Sequence, residues 1–171
     1  MNIFFITPFP DSIKTLVENN IANQGSKKGL VNINIINLRD FSKDSYKKID
    51  DEPYGGGSGM VMMCKPFFDA IDFCISQSDT KPKVIFPSPK GKVLNHSIAS
   101  ELSKEESLIF ICGHYKGLDE RIIEKYVDLE ISIGDYVISN GELSSMIVFD
   151  SIVRLIPGVL NDLNSAMTDS F

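Results

Sequence analysis

Apolar and polar positions follow two periods along this chain, and the switch between them recurs. Asn2–Ile6 is a nearly unbroken apolar run closed by Pro8 and Pro10, as a buried strand would be. Asp11 then stands where it could N-cap a helix running to about Asn19, with Ile13, Leu16 and Val17 on one face. Val31–Asn37 sets valine and isoleucines among asparagines, the pattern of a half-buried strand. Asp40–Gly59 has no period and is rich in charge and glycine, which predicts a long functional loop. Phe68, Ile71 and Ile75 recur at helical spacing within Lys65–Ser78.

Beyond residue 80 the alternation becomes regular. Strands are expected at Lys83–Pro87, Leu108–Cys112 and Leu129–Ile133, and helices at Asn95–Lys104, Leu118–Tyr126 and Glu142–Ile156. Pro157-Gly158 ends the last helix, and 157–171 reads as a tail leaving the core. Strands alternating with helices over short connections predict an α/β fold, a parallel sheet with helices on both faces. Ligands of such sheets bind beyond the carboxyl ends of the strands. Three polar, glycine-containing loops fall there: Phe86-Pro-Ser-Pro-Lys-Gly91, Cys112-Gly-His-Tyr-Lys-Gly117 and Ile131-Ser-Ile-Gly-Asp-Tyr-Val-Ile-Ser-Asn-Gly-Glu142. Three such loops suggest one shared ligand site, which makes an enzyme the leading reading.

Length and composition narrow the class. A chain of 171 residues fits one domain that needs neither disulfides nor structural metal. No internal repeat, low-complexity tract or second domain is visible. No run approaches the length of a membrane span, and the start is too short and uncharged for a signal peptide. Cys64, Cys74 and Cys112 lack Cys-x-x-Cys spacing and read as reduced thiols of a cytoplasmic protein. With only His96 and His114 beside them, a zinc site is not indicated. The net charge of −6 argues against general nucleic-acid binding. Lys27, Lys28, Arg39, Lys43, Lys47 and Lys48 nevertheless cluster against Asp40 and Asp44 alone. From charge alone a solvated lysine-rich face is the simpler reading, with phosphate contact the alternative.

Familiar motifs are absent. Gly55-Gly-Gly-Ser-Gly59 does not follow a predicted strand, so it is no dinucleotide fingerprint, and no Walker-type loop or Gly-x-Ser-x-Gly elbow occurs. Taken alone, the glycine run fits a flexible turn, His114 a polar loop residue, and Asp119, Glu120 and Arg121 a charged first helical turn.

Five segments in register change that picture: Asp50-Asp-Glu-Pro-Tyr-Gly-Gly-Gly-Ser-Gly-Met-Val-Met-Met63, Cys112-Gly-His-Tyr-Lys-Gly-Leu-Asp-Glu-Arg121, Ser132-Ile-Gly-Asp-Tyr-Val137, Arg154-Leu-Ile-Pro-Gly-Val-Leu160 and Thr168-Asp-Ser-Phe171. Together they closely resemble TrmD, the bacterial tRNA (guanine-N1)-methyltransferase family of the SPOUT class, over the whole chain. The resemblance implies an α/β knot, a deep trefoil in which the segment after the last strand threads a loop, against the base rate for knots. It also implies S-adenosylmethionine as methyl donor, a tRNA substrate, and an obligate homodimer with the site at the subunit interface. The donor would be held by Ser88 and Pro89, by Gly113 and Tyr115, and by Ser132, Ile133, Gly134, Asp135, Tyr136, Val137, Ile138 and Gly141. Asp169 is implied as the general base that takes the N1 proton of the target guanine, with Arg154 as its cationic partner near O6. Asp50, Gly56 and Gly57 would lie near the RNA entrance, and His114 and Lys116 on the substrate side.

The resemblance assigns 1–160 to the methyltransferase domain and 161–171 to the start of a linker. The resemblance implies that members continue through that linker into a C-terminal, tRNA-gripping helical domain, which is expected to be absent from residues 1–171. Many members carry glutamate where Lys116 stands, a position linked to Mg2+ dependence, and the reversed charge puts a Mg2+ role in doubt. Asn140 replaces a more usual glycine, for which asparagine's tolerance of left-handed angles offers a rationale. Ser144 replaces a usual proline. The expected reaction is methylation at N1 of the guanosine 3′ of the anticodon. A non-catalytic dimeric core that binds S-adenosylmethionine or RNA is the alternative. An unrelated nucleotide hydrolase would need a magnesium-nucleotide site, which no motif supplies.

Overall fold

The computed structural model describes residues 1–160. In chain order these form β1 (Asn2–Thr7), α1 (Pro10–Glu18), α2 (Ile21–Lys27), β2 (Asn32–Asn37), β3 (Asp50–Asp51), β4 (Val61–Met62), α3 (Cys64–Ser76), β5 (Lys83–Val93), α4 (His96–Leu102), β6 (Ser107–Ile111), α5 (Glu120–Tyr126), β7 (Leu129–Ser132) and α6 (Gly141–Val153). Five strands make one parallel sheet in the order β2-β1-β6-β5-β7.

Each central strand is apolar on both sides because helices cover both sides. Along β1, Ile3 and Phe5 enter one core while Phe4 and Ile6 enter the other, the two-residue period of a strand. The first core is closed by α1, α2, α4 and α6, the second by α3 and α5. In the first, Phe5 stacks on Phe110 at 5.1 Å and meets Phe149 of α6 edge-on at 5.2 Å. Such pairs add about 0.5–1.5 kcal/mol each beyond their buried area, which fastens α6 to the sheet centre. No described helix is long and apolar enough to cross a membrane.

Several expectations need correction. Asp11 does not cap α1: the helix begins at Pro10, Phe9 holds the cap position without a side-chain bond, and Asp11 sits in the first turn. The segment after α1 forms α2, capped by the Asn20 side chain accepting from Ala22 N–H. Asp40–Gly59 is not one unstructured loop. It includes the end of a 3-10 turn (Leu38–Phe41), the buried Ile49 and β3, which pairs antiparallel with β4. The strand expected to stop at Pro87 resumes: Pro87 and Lys92 both pair with Ile131, so 88–91 bulge out and the chain returns to the sheet. Finally, 157–160 does not leave the core. Val159 is fully buried against Gly25 and Val31, and the Lys28 ammonium donates to the carbonyls of Gly158 and Val159.

The lysine-rich segment is partly neutralised by its own neighbours. Lys47 pairs with Asp40 and Lys48 with Asp51, both on the surface, and Arg39 donates to the Lys47 carbonyl. Exposed pairs of this kind contribute little stability, and they reduce the charge left for a polyanion.

Candidate active site

The first glycine loop bulges from within β5 after Pro87, and the second and third follow β6 and β7; the three strands are neighbours in the sheet. Their carboxyl ends therefore open onto one place, a cavity of about 300 Å³. Ser88, Pro89, Gly113, Tyr115, Ser132, Ile133, Gly134, Tyr136, Val137, Ile138 and Gly141 all line it, together with His114 and Lys116. Asp135 is exposed and is not among the lining residues.

Each loop is held by its own hydrogen bonds. The Ser88 hydroxyl accepts from Lys90 N–H at 3.2 Å, and the Ser132 hydroxyl accepts from Gly134 N–H at 3.2 Å. Tyr136 O–H donates to the Ile133 carbonyl at 3.2 Å, laying its ring along the third loop. The second loop is braced by the β3–β4 hairpin. Lys116 N–H donates to Met60 O and Met62 N–H to Gly117 O, both at 3.0 Å, while Asp119 N–H donates to Met62 O at 3.1 Å. The glycine run between β3 and β4 is thus tied to the cavity loop. Gly56 and Gly57 stay exposed in that run, Asp50 lies in β3, and none of the three lines the cavity.

The third loop ends where α6 passes over the second. Gly141 N–H donates to Gly113 O at 2.8 Å, and a Cβ on Gly141 would lie 2.3 Å from Gly113 N. Only glycine allows that crossing. Asn140 precedes it in an extended conformation, and its side chain caps α6 by accepting from Leu143 N–H at 3.1 Å. The left-handed rationale for Asn140 is therefore wrong; its value is the cap. Ser144 is buried and donates to the Gly141 carbonyl at 3.0 Å.

Beneath the crossing lies a network that the sequence reading missed. Glu142, 1% exposed, accepts from the Thr7 hydroxyl at 2.5 Å and meets His114 Nε2 at 2.6 Å. Thr7 Oγ1 in turn accepts from Phe9 N–H at 2.9 Å. Burial pushes the Glu142 carboxyl up, but its bonds to His114 and Thr7 outweigh that and hold it below its ordinary value. The result is a buried carboxylate joining the end of β1, the second cavity loop and the first turn of α6. An isolated His114 gives no sign of this. An acidic residue in the first turn of a largely apolar helix, where the fold buries it, is the one local signal.

Two other features match the simpler readings. Asp119 caps α5 and forms a two-point ion pair with Arg121, whose side-chain bond holds the Asp119 carboxyl below its usual range. Cys74 and Cys112 are fully buried, and burial pushes the Cys74 thiol up to about 12.

Of the two residues implied for catalysis, Arg154 lies away from the cavity. Arg154 is the exposed C-cap of α6. The 13 residues of that helix separate it from Gly141, a rise of roughly 20 Å at 1.5 Å per residue. It does not line the cavity. Asp169 lies outside the described residues.

Known proteins are similar to this chain in sequence and fold. A family model described as tRNA (Guanine-1)-methyltransferase TrmD matches residues 1–171. The tRNA (guanine-N(1)-)-methyltransferase of Ruminiclostridium cellulolyticum is 51% identical over 170 residues, covering 99% of this chain and 73% of its own. That of Christiangramia forsetii is 49% identical over 174 residues, covering 100% and 75%. The crystal structure of tRNA (m1G37) methyltransferase from Aquifex aeolicus superposes with a TM-score of 0.87 at 40% identity, covering 95% of this chain and 72% of that one. The family match spans the full length, and the three loops stand where the motifs required, so the chain belongs to the TrmD family of tRNA (guanine-1)-methyltransferases.

Proposed function

We propose that this protein transfers a methyl group from S-adenosylmethionine to N1 of the guanosine 3′ of the tRNA anticodon. The observation that carries the reading is the convergence of three glycine loops on one cavity in a chain of this family. The cavity suits the donor. Its volume falls at the small end of the range for such ligands, and its wall is apolar rings and backbone groups with a few hydroxyls. Missing Cβ atoms at Gly113 and Gly141 let the second loop pack closely against the Phe86 ring and the start of α6, which sets the shape of the cavity floor. Ser88, Pro89, Gly113, Tyr115, Ser132, Ile133, Gly134, Tyr136, Val137, Ile138 and Gly141 would hold the donor. Asp135 would contribute from the outer side of the third loop. When bound, the sulfonium supplies an electrophilic methyl group.

The remaining chemistry belongs to the protein. Guanine N1 carries a proton, and its lone pair becomes nucleophilic only as that proton leaves. Asp169 takes it, and Arg154 steadies the charge that develops on O6. Asp50, Gly56 and Gly57 receive the RNA, because their hairpin is tied to the cavity loop. His114 orients that loop from the substrate side.

Two further parts of the reading concern architecture. The backbone crossing of Gly141 over Gly113 supports a trefoil path in which 133–141 threads the loop after β6. Arg154 stands at the far end of α6 from the cavity of its own subunit, so a shared site requires a second copy. Exposed Val137, Leu143 and Ile147 near the start of that helix offer apolar surface for it. Sedimentation equilibrium returning a monomer at micromolar concentration would sink this part. We infer that the protein works in the cytoplasm, where unmodified tRNA is found, with 1–160 as its donor-binding domain and 161–171 as the start of a linker.

The direct test is methylation of an unmodified tRNA transcript, with the product base identified by mass spectrometry. N1-methylguanosine should appear next to the anticodon and vanish when that guanosine is changed to adenosine. Methylation elsewhere, or none, would overturn the reading.

A further inference from the structure

One residue of the cavity wall points to a ligand contact more specific than the loops themselves, and the inference rests on the methyl-donor reading above. Among the described residues lining the cavity, Lys116 alone carries a fixed charge; no aspartate, glutamate or arginine lines it. The Lys116 ammonium has no acceptor among the described residues.

The side chain is nevertheless held. Its backbone N–H is fixed to Met60 O at 3.0 Å. Tyr115 before it adopts a left-handed conformation, φ 59°, which costs about 1–3 kcal/mol in a non-glycine residue and typically persists where the fold needs a particular aim. The aliphatic stem lies across Gly59: a Cβ there would sit 2.9 Å from Lys116 Cγ and 3.0 Å from Cε. The stem is therefore floored by a residue with no side chain, and only the ammonium end is left to find a partner. A positioned cation with no acceptor among the described residues, on a wall whose described residues are otherwise uncharged, selects for an anionic group.

S-adenosylmethionine carries one anionic group, its α-carboxylate; its ammonium and sulfonium are both positive. We propose that Lys116 Nζ holds the carboxylate of the methyl donor, with Gly59 providing the surface on which the lysine stem lies. The Lys116–Gly59 pair thereby joins the candidate RNA hairpin to the tail of the donor.

Calorimetry with two probes tests this. S-adenosylhomocysteine has the carboxylate, whereas 5′-methylthioadenosine shares the adenosine and thioether but lacks the amino-acid tail. Lys116→Ala should weaken S-adenosylhomocysteine about five- to twentyfold while leaving methylthioadenosine within about twofold of wild type. Lys116→Arg should retain most of the lost affinity. Gly59→Ala should weaken S-adenosylhomocysteine by displacing the lysine stem; because Gly59 has φ 93° the variant is strained in itself, so its effect counts only where methylthioadenosine binding holds. Unchanged methylthioadenosine binding shows in each case that the cavity is intact. Wild-type affinity of Lys116→Ala for S-adenosylhomocysteine would overturn the proposal. If its KM for tRNA rose at the same time, Lys116 would be an RNA phosphate contact. Equal weakening of both probes would also overturn it, by showing a general loop defect. Wild-type protein binding neither probe would instead refute the methyl-donor reading, and this contact with it.

Discussion

Removing the Glu142 carboxylate should loosen the protein and blunt its acid sensitivity at once. The carboxylate is buried and accepts from Thr7 at 2.5 Å while it meets His114 at 2.6 Å. Glu142→Ala deletes both contacts and strands two polar groups, one of them in the partly accessible cavity loop. The expected loss is about 3 kcal/mol, toward the low end for breaking a buried charged pair because His114 can rehydrate. For a domain of this size that lowers Tm by roughly 6–12 °C. Glu142→Gln is milder. Its amide oxygen can still accept from Thr7, and its NH2 can donate to His114 Nε2 after a tautomer change. A loss of about 1.5 kcal/mol, or roughly 3–6 °C, reflects the missing charge. The folded-state carboxyl is held below its ordinary value of 4.5, so its contribution is fully present above that pH and lost as pH falls through the folded value. The Tm gap between wild type and Glu142→Gln should therefore hold steady from pH 7 to 5 and narrow below 4.5. Calorimetric melts across that range decide it. A gap that stays constant to pH 3.5, or a Glu142→Ala protein melting within a degree of wild type, would refute the reasoning.

Other consequences are simpler to check. A thiol reagent at pH 8 should label Cys64 in the native protein and reach Cys74 and Cys112 only on unfolding, since both are fully buried and burial raises both thiols; rapid labelling of two or more thiols would contradict the packing. Gly141→Ala should cost about 3 kcal/mol or more and abolish S-adenosylhomocysteine binding, because its methyl group would meet the Gly113 backbone, which cannot move aside as a side chain could. Thermal melts and calorimetry on that variant would expose a wild-type result at once.

The sheet was legible because its strands are local and emphatic. β1 and β6 had to be covered on both faces, with Ile3, Phe5, Leu108 and Phe110 on one and Phe4, Ile6, Ile109 and Ile111 on the other, and the helical stripes between strands said by what. The three loops were legible because proline and glycine mark strand ends. The same marks misled at Pro87 and Pro89, where the strand resumes after a bulge whose register only the pairing with Ile131 sets. α2 escaped because Ile21–Lys27 offers no apolar stripe; its Asn20 cap was the available clue. The β3–β4 hairpin consists of two-residue strands with no period, and its braces to Lys116 and Gly117 come from far along the chain. The Thr7–Glu142–His114 network joins residues up to 135 positions apart, so no local pattern could show it. Motif resemblance supplied Arg154, which neither periodicity nor the single-subunit cavity brings to the site, and Asp169, which lies outside the described residues.

Labelled methyl transfer to tRNA, measured for wild type and Asp169→Ala side by side, addresses the central claim most directly. The account predicts transfer to N1 of the guanosine 3′ of the anticodon by wild type. The variant should lose it by several orders of magnitude while binding S-adenosylhomocysteine normally. Transfer that survives in Asp169→Ala would contradict the assigned base. A wild-type protein that binds the donor but transfers nothing would contradict the enzyme itself and leave a donor-binding core.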